Sequence, residues 1–109
     1  MEEALTQLRK GSLELAVLAL LDPESRYGVE LIEELAARPG LQASSGTIYP
    51  LLTRLKNSGL VSTEWRESPV GPPRKYYSLT AAGRAQLSVQ RDAWRLLSSA
   101  METLLKETA

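Results

Sequence analysis

Residues 44–80 read SSGTIYPLLTRLKNSGLVSTEWRESPVGPPRKYYSLT, and within this stretch the hydrophobic period changes from helical to extended. Ile48, Leu51, Leu52 and Leu55 recur at three- and four-residue spacing, which predicts a helix with one apolar face. Ser44 or Ser45 can cap its start, and Gly59 can stop it. From Leu60 to Glu67 the period becomes two, with Val61, Thr63 and Trp65 alternating against Ser62, Glu64 and Arg66 as in a strand. Pro69, Gly71, Pro72 and Pro73 then form a turn, and Arg74 to Leu79, with Tyr76 and Tyr77, returns as a second strand. The pair is a hairpin whose tip proline holds in extended geometry.

Working outward, Glu3 to Leu21 places Leu5, Leu8, Ser12 and Leu15 on one helical stripe, and Gly11 can divide this block into an N-terminal arm and a core helix. Asp22-Pro23-Glu24 breaks the pattern. Ser25 can cap a further helix through Val29, Leu31, Ile32, Leu35 and Ala36, closed by Pro39-Gly40. On the other side, Thr80 caps a long last helix in which Leu87, Trp94 and Met101 lie seven apart, as do Gln90, Leu97 and Leu104. The expected fold class is mainly α with a small β-hairpin: a winged helix-turn-helix plus a C-terminal dimerisation helix. Residues 1–80 would be the winged-helix DNA-binding domain with its arm, and residues 81–109 the dimerisation helix.

Composition sets the outer limits. A chain of 109 residues fits one small domain. It buries roughly two thirds of its unfolded surface, so a sizeable ligand pocket would need a partner chain. The absence of Cys and His removes disulfides, thiolate and imidazole metal sites, and every Ser-His-Asp arrangement. Glu30, Glu33 and Glu34 are spaced as a solvated helix face, and no glycine-rich phosphate loop occurs, so an enzyme is not expected. No cofactor is expected either. The longest near-apolar run, Leu13 to Leu21, is too short to cross a bilayer, and its flank lacks the basic start of a secretory signal; a soluble cytoplasmic protein without membrane contact is the expectation.

Thirteen Lys and Arg balance thirteen Asp and Glu, and neutrality at first argues against a nucleic-acid partner. Resolved along the chain it does not. Between Ala43 and Arg91 stand Arg54, Lys56, Arg66, Arg74, Lys75, Arg84 and Arg91 against only Glu64 and Glu67, a local balance of +5 that leaves −5 for the remainder. Such asymmetry points to a polyanion. The acidic remainder implies weak non-specific affinity and reliance on docking both halves of a dimer.

In helix-turn-helix docking the third helix enters the major groove. Ser44, Ser45, Thr47 and Tyr49 can then approach phosphates and base edges near free helix amides, with Arg54 and Lys56 following. Arg74 and Lys75 would neutralise phosphates from the hairpin. Each residue also has a plainer role: a cap for Ser44 and Ser45, packing for Tyr49, a solvated face for Arg54 and Lys56, and a soluble strand edge for Arg74 and Lys75. The heptad stripe of Leu87, Trp94, Leu97, Met101 and Leu104 can fold back as a lone core helix, but such a stripe, with Leu8 of the arm, better suits a second copy of the chain. Trp94 is either a buried anchor or one wall of a slot at the dimer boundary for a flat apolar or aromatic effector.

The run Gly46-Thr-Ile-Tyr-Pro-Leu-Leu-Thr-Arg-Leu-Lys-Asn-Ser-Gly-Leu-Val61, followed by Gly71-Pro-Pro-Arg-Lys-Tyr-Tyr-Ser-Leu-Thr-Ala-Ala-Gly83, closely resembles the PadR family of bacterial transcriptional regulators. Tyr27-Gly28 and Gly11 to Leu21 look like that family as well. The resemblance covers nearly the whole chain and implies a winged-helix homodimer that represses transcription, released in many members by a small effector. It places the recognition motif on Gly46 to Leu55 and the wing motif on Gly71 to Tyr77, and the single helix after the wing resembles the short subclass. In small multidrug-sensing members an aromatic residue of the last helix lines the dimer pore, and Trp94 has the similar position.

The reading is thus a dimeric, sequence-specific repressor with two recognition helices about 34 Å apart on a pseudo-palindromic site. An effector would act by changing the relative orientation of the two winged domains. The alternative, of a different class, is a winged-helix protein-interaction module that never touches DNA.

Overall fold

The computed structural model describes residues 1–108. Its elements in chain order are α1 (Glu2–Arg9), α2 (Ser12–Leu21), β1 (Arg26–Tyr27), α3 (Gly28–Ala36), α4 (Ser45–Asn57), β2 (Val61–Arg66), β3 (Arg74–Leu79) and α5 (Ala81–Glu107). The mainly helical architecture with a small sheet agrees with the sequence. Gly11 divides arm from core as expected: its φ of 83° is a left-handed conformation that costs glycine little and other residues more. Ala109, the last residue of the expected dimerisation segment, lies outside the described residues.

The sheet differs from the expected hairpin by one strand. Its order is β1-β3-β2, all antiparallel, with Arg26 opposite Tyr77 and Tyr27 opposite Tyr76. Ser25 therefore caps nothing; Tyr27, in extended conformation, precedes the first residue of α3. Arg26 secures this crossing by donating from Nε to the Leu20 carbonyl at 2.9 Å and pairing with Glu34 at 3.3 Å and Glu24 at 3.5 Å. Glu34 in turn receives Arg38 at 2.9 Å, and that hydrogen bond, opposed by partial burial and helped by Arg26, holds its carboxyl below the usual range.

One apolar core joins the helices to the inner face of the sheet. Val17, Leu18, Leu20 and Leu21 of α2 meet Leu31 and Leu35 of α3, Ile48, Leu51, Leu52 and Leu55 of α4, and Val61, Tyr77 and Leu79 of the sheet. Burial of each such aliphatic side chain is worth about 1.5–3 kcal/mol, so the apolar face of α4 fixes which of its residues remain outside.

Thr80 joins the wing, the end of α4 and the start of α5. Its Oγ1 accepts from the Gly83 amide at 3.0 Å, the expected cap, and donates to the Gly59 carbonyl at 2.6 Å, while its amide donates to the Leu60 carbonyl at 3.1 Å. Any β-carbon at Gly83 would overlap the Leu60 carbonyl oxygen, so a side chain there would push α5 off this junction. Of the 27 residues of α5 only Gly83 and Leu87 are buried. A helix of that length extends about 40 Å, which accounts for the long axis of the 53 × 30 × 21 Å envelope.

Candidate nucleic-acid interface

The N-terminus of α4 is built as a polar end. Ser44 occupies the cap position, but its hydroxyl lies 3.3 Å from the Thr47 hydroxyl instead of bonding a helix amide; the Thr47 and Ile48 amides both donate to the Ser44 carbonyl at 3.0 Å. Ser45 and Thr47 are exposed. Because the buried residues take one side of α4, two outer stripes remain. Ser45, Tyr49, Thr53 and Lys56 share one, at helical spacing. Thr47, Pro50 and Arg54 form the other and line an open cleft of about 1100 Å³ between α4, α2 and the arm.

On α4, two of the expected DNA residues are already engaged with other helices of the chain. Tyr49 is 40% exposed, and its ring lies over the backbone of Gly28. Arg54 pairs through Nη1 with Glu14 of α2 at 3.3 Å. Lys56 is exposed and pairs with no carboxylate among the described residues.

On the wing, Arg66 stands opposite Arg74 and Trp65 opposite Lys75, at the end of the ladder next to the 67–73 tip. Alternation then separates two faces. The inner one carries Val61, Tyr77 and Leu79 into the core and ends at Trp65, 67% exposed, with Lys75 Nζ lying 6.0 Å from both the Trp65 and the Tyr77 ring centroids. The outer one carries a cation–aromatic cluster. Arg66 lies 4.4 Å over Tyr76, Arg74 lies 4.5 Å over Tyr27, and the two tyrosines meet edge to face at 5.4 Å. Each guanidinium–ring contact is worth about 0.5–1 kcal/mol at an exposed site. The rings occupy the guanidinium faces rather than the N–H edges, although Arg66 Nε already donates to the Glu64 carboxylate at 3.1 Å. At the tip, the Ser68 hydroxyl donates to the Val70 carbonyl at 2.8 Å and faces the Val70 amide at 3.3 Å, closing a tight turn before Gly71.

The stripe on α5 divides where the helix leaves the core. Leu87, expected at a dimer boundary, is 3% exposed and belongs to the core of its own chain. Trp94, Leu97, Met101 and Leu104 are 43–57% exposed, and Leu8 of the arm is 76% exposed. Val89 and Leu96 lie outside this stripe and are likewise exposed.

Residues 17–89 match the Transcriptional regulator PadR-like family, a span that runs from α2 through the wing into α5. The chain belongs to this family. Transcriptional regulator Rv3488 of Mycobacterium tuberculosis is 36% identical over 87 residues, covering 80% of this chain and 79% of that protein. A PadR family transcriptional regulator from Eggerthella lenta superposes with a TM-score of 0.84 at 35% identity, over 95% of this chain and 90% of that one. A PadR-like transcriptional regulator from Bacillus cereus gives 0.83 at 36%, over 91% and 96%. The protein is therefore a PadR-like transcriptional regulator and not an enzyme. Among the described residues, no helix is long and apolar enough to cross a membrane.

For this PadR-like regulator the sequence places Ser44, Ser45, Thr47, Arg54 and Lys56 on one helix and Arg74 and Lys75 at one end of a strand, and the structure has them there. It does not anticipate the aromatic seats beneath the arginines. Tyr27 comes from a strand two residues long, too short for any period to register. Arg66 enters only as a strand position and a charge in a count; its place opposite Arg74 follows from strand register.

Proposed function

We propose that this PadR-like regulator is a homodimeric, sequence-specific DNA-binding repressor. The observation that carries the reading is what α4 leaves outside the core: Ser45, Thr47, Arg54 and Lys56 on the third helix of the core bundle, followed directly by a wing whose distal rungs hold Arg66, Arg74 and Lys75. In helix-turn-helix docking such a helix reads base edges while cations on neighbouring elements hold phosphates. The winged-helix part comprises residues 1–80 together with the first turns of α5 as far as Leu87, and the rest of α5 is the dimerisation segment. A solvated apolar stripe of Trp94, Leu97, Met101 and Leu104 supports that assignment, since a second copy would remove it from water.

Selection of bound duplexes from a random pool tests the reading. The expected result is an inverted repeat with half-sites about one helical turn apart. Failure to enrich any sequence, together with no binding to the protein's own upstream region at low salt, would favour a protein-interaction module instead. The effector reading places a small apolar or aromatic compound beside Trp94 at the dimer boundary, where it favours one relative orientation of the winged domains. With Trp65→Phe leaving Trp94 as the sole tryptophan, its fluorescence responds to planar apolar compounds; silence across a broad panel assigns Trp94 to packing alone.

A further inference from the structure

Glu14 is the one charged residue of α2, a helix otherwise made of Ser, Leu, Ala and Val. Its side chain is 21% exposed and makes two contacts, one to each of two other helices. Oε1 faces Arg54 on α4 at 3.3 Å. Oε2 accepts a hydrogen bond from Nε2 of Gln90 on α5. Gln90 lies on α5 between Leu87, which is buried, and Trp94, which is exposed. The polar residue at the point where α5 leaves the core is thus bonded to the carboxylate that holds a cation of α4.

We propose that Glu14 is a positioning residue that restrains Arg54 from DNA phosphate, and that Gln90 makes the restraint depend on where α5 lies. The consequence for DNA rests on the DNA-binding reading above. Arg54 is the more exposed partner, at 63%, so a phosphate can reach it without unpacking the core. To do so it must compete with the Glu14 carboxylate. While Gln90 holds Oε2, Oε1 stays aimed at Arg54; when α5 shifts and Gln90 withdraws, the carboxylate is free to turn toward water, and Arg54 becomes available. The whole relay spans one carboxylate and requires no change in the core.

Arg54, the exposed partner, is largely solvated, and exposed ion pairs are worth about 0–1 kcal/mol, so the expected change is modest and must be read against a control. Glu14→Gln keeps the shape and the carbonyl that accepts from Gln90, but removes the charge. It should raise operator affinity by about two- to five-fold, the upper end corresponding to that energy. It should also steepen the dependence of log K on log salt by up to about 0.9, one phosphate contact. Gln90→Leu should give a smaller gain in the same direction. In an Arg54→Gln background both gains vanish. A gain that survives there is general charge repulsion and overturns the proposal, as does an unchanged affinity in Glu14→Gln while the wild type binds. A readout without DNA separates the relay from the DNA reading: the Arg54 Nε–H resonance in ¹⁵N NMR should move on Gln90→Leu, although Gln90 and Arg54 share no hydrogen bond. An unmoved resonance overturns the relay even if DNA binding is established, and a moved resonance with no DNA binding by any variant keeps the relay and rejects its consequence for DNA.

Discussion

The ring of Tyr49 fills the space that a side chain at Gly28 would need: a β-carbon built on Gly28 lies 2.5 Å from Tyr49 Cε1 and 2.7 Å from its hydroxyl oxygen. This contact sets how closely the start of α3 and the first turns of α4 approach. Gly28→Ala should therefore force the Tyr49 ring outward or part the two helices, at about 1–3 kcal/mol as for other overpacked sites. For a chain of this size that is a fall in Tm of about 4 °C or more per kcal/mol. Tyr49→Ala removes the obstacle, so the double variant should melt well above the sum of the two single losses in a circular-dichroism melt. Strict additivity would show that the close approach carries no energy.

Tyr49 also marks a boundary of what the sequence discloses. Its position among Ser45, Thr53 and Lys56 assigns it to the polar side of α4, and its contact with a glycine on another helix has no periodic signature. Elements whose pattern repeats over many residues, such as α4 and the β2–β3 hairpin, are legible, as are punctuation marks with purely local chemistry, such as Gly11 and the Thr80 cap. Features made by two distant segments are not. The Arg26–Tyr27 strand exists because Tyr76 and Tyr77 offer it a free edge, and the Glu14–Arg54 pair exists because α2 and α4 cross in the folded protein.

Leu87 and Leu97 belong to related positions of one heptad stripe yet have opposite surroundings, 3% and 57% exposed. Leu87→Ala should cost about 2–5 kcal/mol of stability, the range for buried leucines. Leu97→Glu places a charge on the proposed dimer surface and should convert the protein to a folded monomer. Light scattering at micromolar concentration with a parallel thermal melt distinguishes the two: loss of Tm for the first, halved mass with the helical spectrum retained for the second. A wild-type protein of monomer mass would remove the role proposed for the stripe.

The Arg66–Tyr76 and Arg74–Tyr27 stacks separate charge from its placement. Arg74→Ala and Lys75→Ala each delete a cation, and each should weaken DNA binding and flatten the salt slope by about 0.9 if that residue meets a phosphate. Tyr76→Leu keeps every cation but removes the ring under Arg66, so affinity should drop several-fold with the slope nearly unchanged. Arg66→Lys should resemble Tyr76→Leu, because an ammonium neither stacks as a plane nor presents a fixed fork of donors. Fluorescence anisotropy of a labelled operator across a salt series reads both quantities. A slope that falls equally in Tyr76→Leu and Arg74→Ala would mean that the tyrosines do not act through placement.

Tyr77 provides a test of the packing where the wing meets the core. Its ring is 7% exposed on the inner face of β3, and burial, reinforced by the nearby Tyr49 phenol, pushes its ionisation above the usual tyrosine range. A phenol is neutral when protonated, so the folded state favours the protonated form. At neutral pH both folded and unfolded chains hold that proton, and Tyr77 contributes no pH dependence. Above about pH 10, the ordinary tyrosine value, the unfolded chain releases the proton first, and stability falls with further rise in pH. Ultraviolet titration of tyrosinate should therefore show a late ionisation in the folded protein that is missing from Tyr77→Phe, and the variant should lose less stability than the wild type on the alkaline side. If the ionisation lost in Tyr77→Phe instead falls in the ordinary tyrosine range, Tyr77 is in contact with water and the β3 side of the core is open.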